Sequence, residues 1–125
     1  MLAAVIQRKG RYLLCLRPLR KRHGGFWEFP GGKLEPEETL VQAAGRELRE
    51  ELGTEVTRCG PVLFSHREAG SHFQIEFVPV EIMSDPSALE HEELRWVAPE
   101  ELHSLPLAPS DRAFAQWLLQ RTPAA

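Results

Sequence analysis

The sequence predicts an α/β protein in which a mixed β-sheet packs between helices. Short β-prone runs lie on both sides of one amphipathic helix, predicted for residues 39–52, and a second helix closes the chain. Strands before and after a central helix, followed by a C-terminal helix, favour a layered sheet rather than a bundle. With neither a linker nor an internal repeat, residues 1–125 are expected to form one domain.

The individual strands are predicted from apolar runs bounded by glycine, proline or charged residues. Residues 2–7 and 11–17 flank Arg8-Lys9-Gly10, a pattern typical of a hairpin, and a third strand ends at Pro30. After the helix, strands are expected near Val56 and at residues 62–65, 72–77 and 94–97. Pro79 is expected at an edge or a bulge, because proline cannot donate to a sheet.

The last helix has its own start signal and its own apolar side. Ser110 is predicted as its N-cap, and Phe114, Trp117 and Leu118 follow at helical spacing, which is typical of a core-facing side.

Composition limits the classes of function. A formal net charge of −3 argues against binding a nucleic-acid polymer, which usually requires a basic surface, so any nucleotide partner is expected to be small. The spacing of Cys15 and Cys59 is not that of a metal site, and buried thiols are typical of a reducing compartment. The sequence has no apolar run of membrane-spanning length, so we expect a cytoplasmic protein that does not bind membranes.

The helix at residues 39–52 has clear boundaries and an unusual acidic face. Thr39 and Gln42 form a capping-box pattern, and Gly53 supplies a C-terminal stop. An apolar stripe is predicted next to a strip of carboxylates. The stripe contains Leu40, Val41, Ala44, Leu48 and Leu52, and the carboxylates are Glu47, Glu50 and Glu51.

Like charges at these spacings repel one another, so cations are expected among them. Arg46 and Arg49 provide one answer, a solvated helix face stabilised by ion pairs. A bound metal ion is the alternative. It is favoured by the Gly31-Gly32 pair, which follows a strand directly and leaves room for an ion and an approaching phosphate.

The spacing of this segment resembles the signature of the Nudix hydrolases, which cleave nucleoside diphosphates linked to another group. The matching residues are Gly32, Glu38 after five intervening residues, and the run 46–53, RELREELG, after seven more. Thr54 departs from the pattern, which has an aliphatic residue there. The segments WEFPGGK at 27–33 and ELRWVAPEEL at 93–102 are similar to those of the MutT-like branch, so the resemblance implies a Nudix α/β/α sandwich with a central mixed sheet.

The resemblance also implies the catalytic parts. Glu47, Glu50 and Glu51 are expected to bind Mg²⁺, for which Mn²⁺ can substitute, and the Gly32 carbonyl is a further candidate ligand. Arg46 is expected to orient these carboxylates, with Glu38 as its partner. Two candidates for the general base stay open, Glu47 and Glu90, and Glu90 is also a candidate metal ligand in what is otherwise a solvated acidic turn.

Substrate contacts are expected on both sides of the carboxylates. Arg17, at the end of a strand, and Lys33, after the glycine pair, are candidate phosphate contacts. By resemblance, Phe29 and Asp111 hold the base, although Ser110-Asp111 is equally suited to cap the last helix. The polar strand face that carries His72 and Gln74 is a further candidate.

We therefore expect Mg²⁺-dependent hydrolysis of a nucleoside triphosphate to monophosphate and pyrophosphate, with oxidised nucleotides such as 8-oxo-dGTP as candidate substrates. Two alternatives stay open, hydrolysis of a sugar nucleotide or dinucleoside polyphosphate, and a catalytically silent nucleotide sensor. The protein is expected as a monomer or homodimer.

Overall fold

The structure, a computed structural model, describes residues 1–121. The last four residues of the predicted domain, 122–125, lie outside this part. The elements in chain order are β1 (Leu2–Val5), β2 (Gln7–Arg8), β3 (Arg11–Leu16), β4 (Trp27–Glu28), β5 (Gly31–Gly32), α1 (Leu40–Leu52), β6 (Val56–Cys59), β7 (Phe64–Arg67), β8 (Gln74–Ile82), β9 (Glu93–Val97), a 3₁₀ helix (Pro99–His103) and α2 (Pro109–Arg121).

The strands form two sheets rather than the one that was expected. The first has the order β5-β1-β8-β6 with β7 also paired to β8, and it is mixed because β1 and β8 run parallel. The second is antiparallel and is built around β3, which pairs with β2, β4 and β9. The predicted hairpin joins β2 and β3 through Lys9 and Gly10, both at positive φ, while β1 belongs to the other sheet.

The helices lie on opposite faces of the sheets, as the α/β/α prediction requires. Alternate residues of β1 separate the two cores, because side chains along a strand point to opposite faces. Leu2 and Ala4 pack with the α1 residues Ala44 and Leu48. Ala3 and Val5 belong to the core that α2 closes with Phe114 and Ala115.

Helix α1 begins and ends as predicted. Thr39 and Gln42 form both bonds of a capping box, and Gly53 ends the helix in the left-handed conformation, with a φ of 67°. Two details of its apolar stripe differ from the prediction. Val41 is 57% exposed, and Ala43, which was not included, is fully buried. Val41 therefore faces solvent, whereas Leu40 packs against the core on the α1 side.

Two other local predictions were wrong. Pro79 lies within the central strand β8. The residues of β8 before it pair with β7 and those after it pair with β6, so the N–H group that proline lacks is not needed for either pairing. Ser110 is the second residue of α2 rather than its cap, and its hydroxyl lies 3.0 Å from His66 Nδ1.

Thr54, the departure from the family pattern, has a clear structural partner. Its side chain is 1% exposed, and Oγ1 accepts a hydrogen bond from the Ser84 N–H at 3.1 Å and lies 2.9 Å from the Ser84 hydroxyl. These bonds fix the end of β8 and the start of the loop at residues 84–92 against the C-terminus of α1.

We expect Thr54→Val to lower the free energy of unfolding by about 1–3 kcal/mol, because it removes a buried hydroxyl that bonds the backbone and the side chain of Ser84. Thr57→Val is the matched control, since the Thr57 hydroxyl donates to Glu81 O from an exposed strand position. Its effect should stay within about 0.5 kcal/mol in urea unfolding. Equal losses in the two variants would contradict a special role for Thr54.

Candidate active site

The acidic face of α1 lies against the glycine pair of β5. Glu51 is 4% exposed, and its Oε2 accepts a hydrogen bond from the Gly31 N–H at 3.1 Å. A Cβ added to Gly32 would lie 2.6 Å from Glu47 Oε1, so only glycine leaves room for that carboxylate. The strand and the helix are thus in direct contact through the candidate metal ligands.

Arg46 organises the exposed side of the same cluster. Its Nε and Nη2 donate to the two oxygens of Glu38, both at 2.9 Å, and Nη1 donates to Glu47 Oε1 at 2.9 Å. Nη2 also donates to the Lys33 carbonyl, and Glu50 Oε2 lies 3.6 Å from Nη1. The expected pairing of Arg46 with Glu38 is therefore present, and its guanidinium lowers the pKa of Glu38 to about 2.

Glu51 lies in an acidic and largely dry environment. Burial, followed by the charges of Glu47, Glu28 and Glu90, raises its pKa to about 9. Arg46 pairs with Glu47 and Arg17 with Glu28, but no lysine or arginine among the described residues pairs with Glu51, and this excess of carboxylates favours a site for an external cation. The donors, carboxylates and backbone carbonyls, are the hard oxygen ligands that Mg²⁺ prefers.

The ligands are close together but not in coordinating positions. Within residues 1–121, no three acidic, histidine or cysteine side chains converge as a metal site would require. Arg46 accounts for part of this, because it holds Glu47 and attracts Glu50, whose side chain is 51% exposed. The residues fit Mg²⁺ in chemistry and lie on one side of α1 beside the glycine pair, and their carboxylates would have to converge further to bind it together.

Two residues that the sequence did not indicate complete this site. Glu28 accepts both a hydrogen bond from Arg17 Nη1, at 3.0 Å, and one from His91 Nε2, also at 3.0 Å. His91 Nε2 lies 3.7 Å from Glu51 Oε1, and its Nδ1 is the buried side-chain atom without a partner among residues 1–121. Two sequence signals could have indicated them: Glu28 lies in the segment before the glycine pair, and His91 follows Glu90 directly.

The loop that carries Glu90 and His91 is fixed to α1 rather than free in solvent. The N–H groups of Ser87 and Leu89 donate to the carbonyls of Leu52 and Glu51, at 2.9 and 3.1 Å. Glu90 consequently lines a cavity of about 200 Å³ together with Glu47, Glu51 and His91. Both candidates for the general base therefore face the same space.

A second cavity, of about 380 Å³, adjoins the first and shares Arg17 and Glu28 with it. Lys33 and Asp111 line this larger cavity. Asp111 is 7% exposed and its Oδ1 accepts the Phe29 N–H at 2.8 Å. Burial, and then the charge of Glu28, raises the pKa of Asp111 to about 8, so this carboxyl is largely protonated at neutral pH.

The Phe29 ring is largely buried, although Phe29 lines a small cavity of about 170 Å³ together with Asp111. It is 3% exposed and makes edge-on contacts with Tyr12, Phe77 and Phe114. Its ring therefore belongs to the core on the α2 side, and what it presents to the site is the backbone N–H that holds Asp111. The polar strand positions His72 and Gln74 are exposed and do not line the larger cavity.

Comparison with known proteins identifies this architecture. The model of the NUDIX domain matches residues 1–118, and the chain belongs to this family of hydrolases. It is 44% identical over 115 residues to the CTP pyrophosphohydrolase of Escherichia coli strain K12, covering 89% of this chain and 84% of that protein. It is also 51% identical over 55 residues to the 8-oxo-dGTP diphosphatase of Proteus vulgaris, covering 44% of this chain and 49% of that protein.

A solved structure has the same fold over nearly the whole chain. The solution structure of the E. coli ORF135 protein aligns with a TM-score of 0.81 and 40% identity, covering 99% of this chain and 92% of that one. The α/β Nudix fold predicted from the sequence is confirmed. In the described residues, neither helix is long and apolar enough to cross a membrane.

The two glycines of β5 are expected to respond differently to alanine. A Cβ at Gly31 would lie 2.1 Å from the Leu2 carbonyl oxygen, at a φ of 152°, whereas a Cβ at Gly32 meets only the movable Glu47 carboxylate. Gly31→Ala should cost about 2–4 kcal/mol of unfolding free energy, because the backbone has to shift.

Gly32→Ala should cost less than about 1 kcal/mol but lower kcat at least about tenfold, since it displaces Glu47. Thermal unfolding and steady-state kinetics on the same samples measure both effects. A Gly32→Ala protein with wild-type kcat would show that the position of Glu47 is unimportant.

Proposed function

We propose that this Nudix hydrolase converts nucleoside triphosphates to monophosphate and pyrophosphate with Mg²⁺, which Mn²⁺ can replace. The observation that carries the proposal is the pair of adjoining cavities. One is lined by the carboxylates Glu47, Glu51 and Glu90, the other ends at the buried Asp111, and Arg17 lines both. A phosphate chain in the first cavity and a base in the second would suit this shape and charge.

The proposed ligands of Mg²⁺ are Glu47, Glu50, Glu51 and the Gly32 carbonyl. When bound, the metal would neutralise phosphate oxygens and lower the pKa of a water. Arg46 keeps Glu47 in place through the bonds described above, and Arg17 and Lys33 bind phosphate oxygens. Glu47 or Glu90 accepts the proton of the attacking water, because both face the cavity in which it would lie.

We further propose that Asp111 reads the base and that its protonation permits cytosine. A protonated carboxyl can donate to cytosine N3 and accept from its amino group, whereas an ionised one has no proton to donate. Similarity to the CTP pyrophosphohydrolase of E. coli supports this preference. Either form can accept an N–H of oxidised guanine, so 8-oxo-dGTP is the second proposed substrate, and a cytoplasmic location would give access to both.

Glu50→Gln should lower kcat roughly 100-fold or more. The bound metal would stabilise the transition state by several kcal/mol, and the loss of one ligand would reduce that stabilisation. Glu55→Gln is the matched control, an exposed glutamate paired with Arg49 at 3.5 Å. Pyrophosphate release from CTP and 8-oxo-dGTP measures the rates.

Thermal unfolding provides a readout that does not depend on activity. Mg²⁺ should raise the melting temperature of the wild type and of Glu55→Gln, since a ligand of the native state stabilises it. Glu50→Gln should lose most of this increase, with sodium chloride of equal ionic strength as the reference. Near-normal rates and a full Mg²⁺ shift in Glu50→Gln would refute the metal assignment.

The preference for CTP over GTP, expressed as the ratio of kcat/KM values, should fall about tenfold between pH 7 and 9. The reason is that the Asp111 carboxyl ionises near pH 8 and then accepts the two N–H groups of guanine. Asp111→Asn should make the ratio independent of pH, because an amide keeps both a donor and an acceptor. A wild-type ratio that stays constant over this range would exclude Asp111 as the group that reads the base.

A further inference from the structure

An exposed aromatic ring stands at the larger cavity, which Phe29 does not line. Phe73 is 47% exposed and lines the cavity together with Lys33, Ile75 and Asp111. The Ser71 hydroxyl oxygen accepts the Phe73 N–H at 3.1 Å, which fixes the backbone just before β8. A single exposed phenylalanine is unremarkable on a protein surface, but this one lies beside the carboxyl proposed to read the base.

The Phe73 ring is partly covered by Lys33, which is also proposed to bind phosphate. Lys33 Nζ lies over the Phe73 ring, 4.6 Å from its centroid. Because Lys33 and Phe73 both line the cavity, the ammonium group and an entering base would compete for the ring. Cation–π contacts at exposed sites are weak, so a triphosphate can draw the ammonium group away.

We propose that Phe73 is the surface on which the nucleobase stacks, and that Lys33 leaves the ring to bind phosphate when substrate enters. Stacking on an aromatic ring is tolerant of base identity, since every base has a π-face. Phe73 thus supplies binding, while hydrogen bonds from Asp111 select the base. This inference rests on the proposed function and adds a specificity-determining residue to it.

The movement of Lys33 from the Phe73 ring to phosphate couples binding of the base to binding of the phosphate chain. A free nucleoside must displace the Lys33 ammonium without offering it a phosphate, and so it binds weakly. A triphosphate provides a better partner for Lys33 and uncovers the ring in the same event. Nucleoside and nucleotide should therefore respond in opposite directions when the lysine charge is removed.

The first test compares Phe73→Leu, Phe73→Trp and Phe26→Leu. Phe26 is the matched control, a 39% exposed phenylalanine that does not line the cavity. Phe73→Leu should raise KM for CTP about 5- to 100-fold, with kcat changed less than about twofold, whereas Phe73→Trp should stay near wild type. Equal KM values in Phe73→Leu and wild type, or the same rise in Phe26→Leu, would overturn the proposal.

The second test measures calorimetric binding of cytidine and CMP to wild type, Lys33→Met and Lys33→Met with Phe73→Leu. Removing the ammonium should tighten cytidine binding about two- to fivefold and weaken CMP binding, and the gain for cytidine should vanish in the double variant. Unchanged or weaker cytidine binding in Lys33→Met would contradict the exchange.

These results separate the inference from the function on which it rests. A wild-type protein that hydrolyses no nucleoside triphosphate would refute the proposed function, and the CMP binding of wild type and Phe73→Leu would still decide whether the base stacks. Turnover by wild type with identical binding by Phe73→Leu would refute the stacking alone. Melting temperatures of all variants identify any loss of folding.

Discussion

The burial of one carboxylate, Glu51, constrains much of the structure around it. An ionisable group that is 4% exposed has to be paired or neutralised, and the partner here is the N–H of Gly31 together with a raised pKa. That contact brings β5 against the C-terminal half of α1. A Cβ at Gly32 would meet the Glu47 carboxylate of this helix, whereas Gly31 is required by its contact with the Leu2 carbonyl of β1.

The same constraint explains the distribution of positive charge around α1. Arg46 neutralises Glu38 and Glu47 on the open side of the helix. On the side towards the cavity Arg17 pairs with Glu28, whereas among the described residues Glu51 has only His91 within ion-pair distance. A protein that merely needed a stable helix would gain from an arginine or lysine beside Glu51, because buried like charges are costly. The uneven compensation is therefore better explained by a ligand than by stability.

The two cavities are connected by the short segment at residues 27–32. Trp27 exchanges backbone hydrogen bonds with Pro106 and Ala108, which sets the start of α2, and the Phe29 N–H binds Asp111. Two residues later the Gly31 N–H binds Glu51. Two N–H groups of this short chain segment thus hold the carboxyl proposed for the base and a carboxylate proposed for the metal, which fixes their separation.

What the sequence could predict depended on how local the determining contacts are. The capping box of α1 and its glycine stop involve residues close in sequence and follow from helical geometry, whereas the pairing of Arg46 with Glu38 was implied by the family resemblance. The division into two sheets, the central place of Pro79 and the burial of Phe29 depend on pairings between distant strands. Neither periodicity nor composition encodes those registers.

The same distinction separates the chemistry of this protein from its specificity. The proposed metal ligands on α1 lie within five residues, so one helix presents them together and a short motif reveals them. The proposed base contacts, Phe73 and Asp111, come from the residue before β8 and the first turn of α2, and they meet only because both sheets close around the same core. Because each contributes a single side chain, either can change without disturbing α1, and the fold can retain its reaction while its choice of base varies.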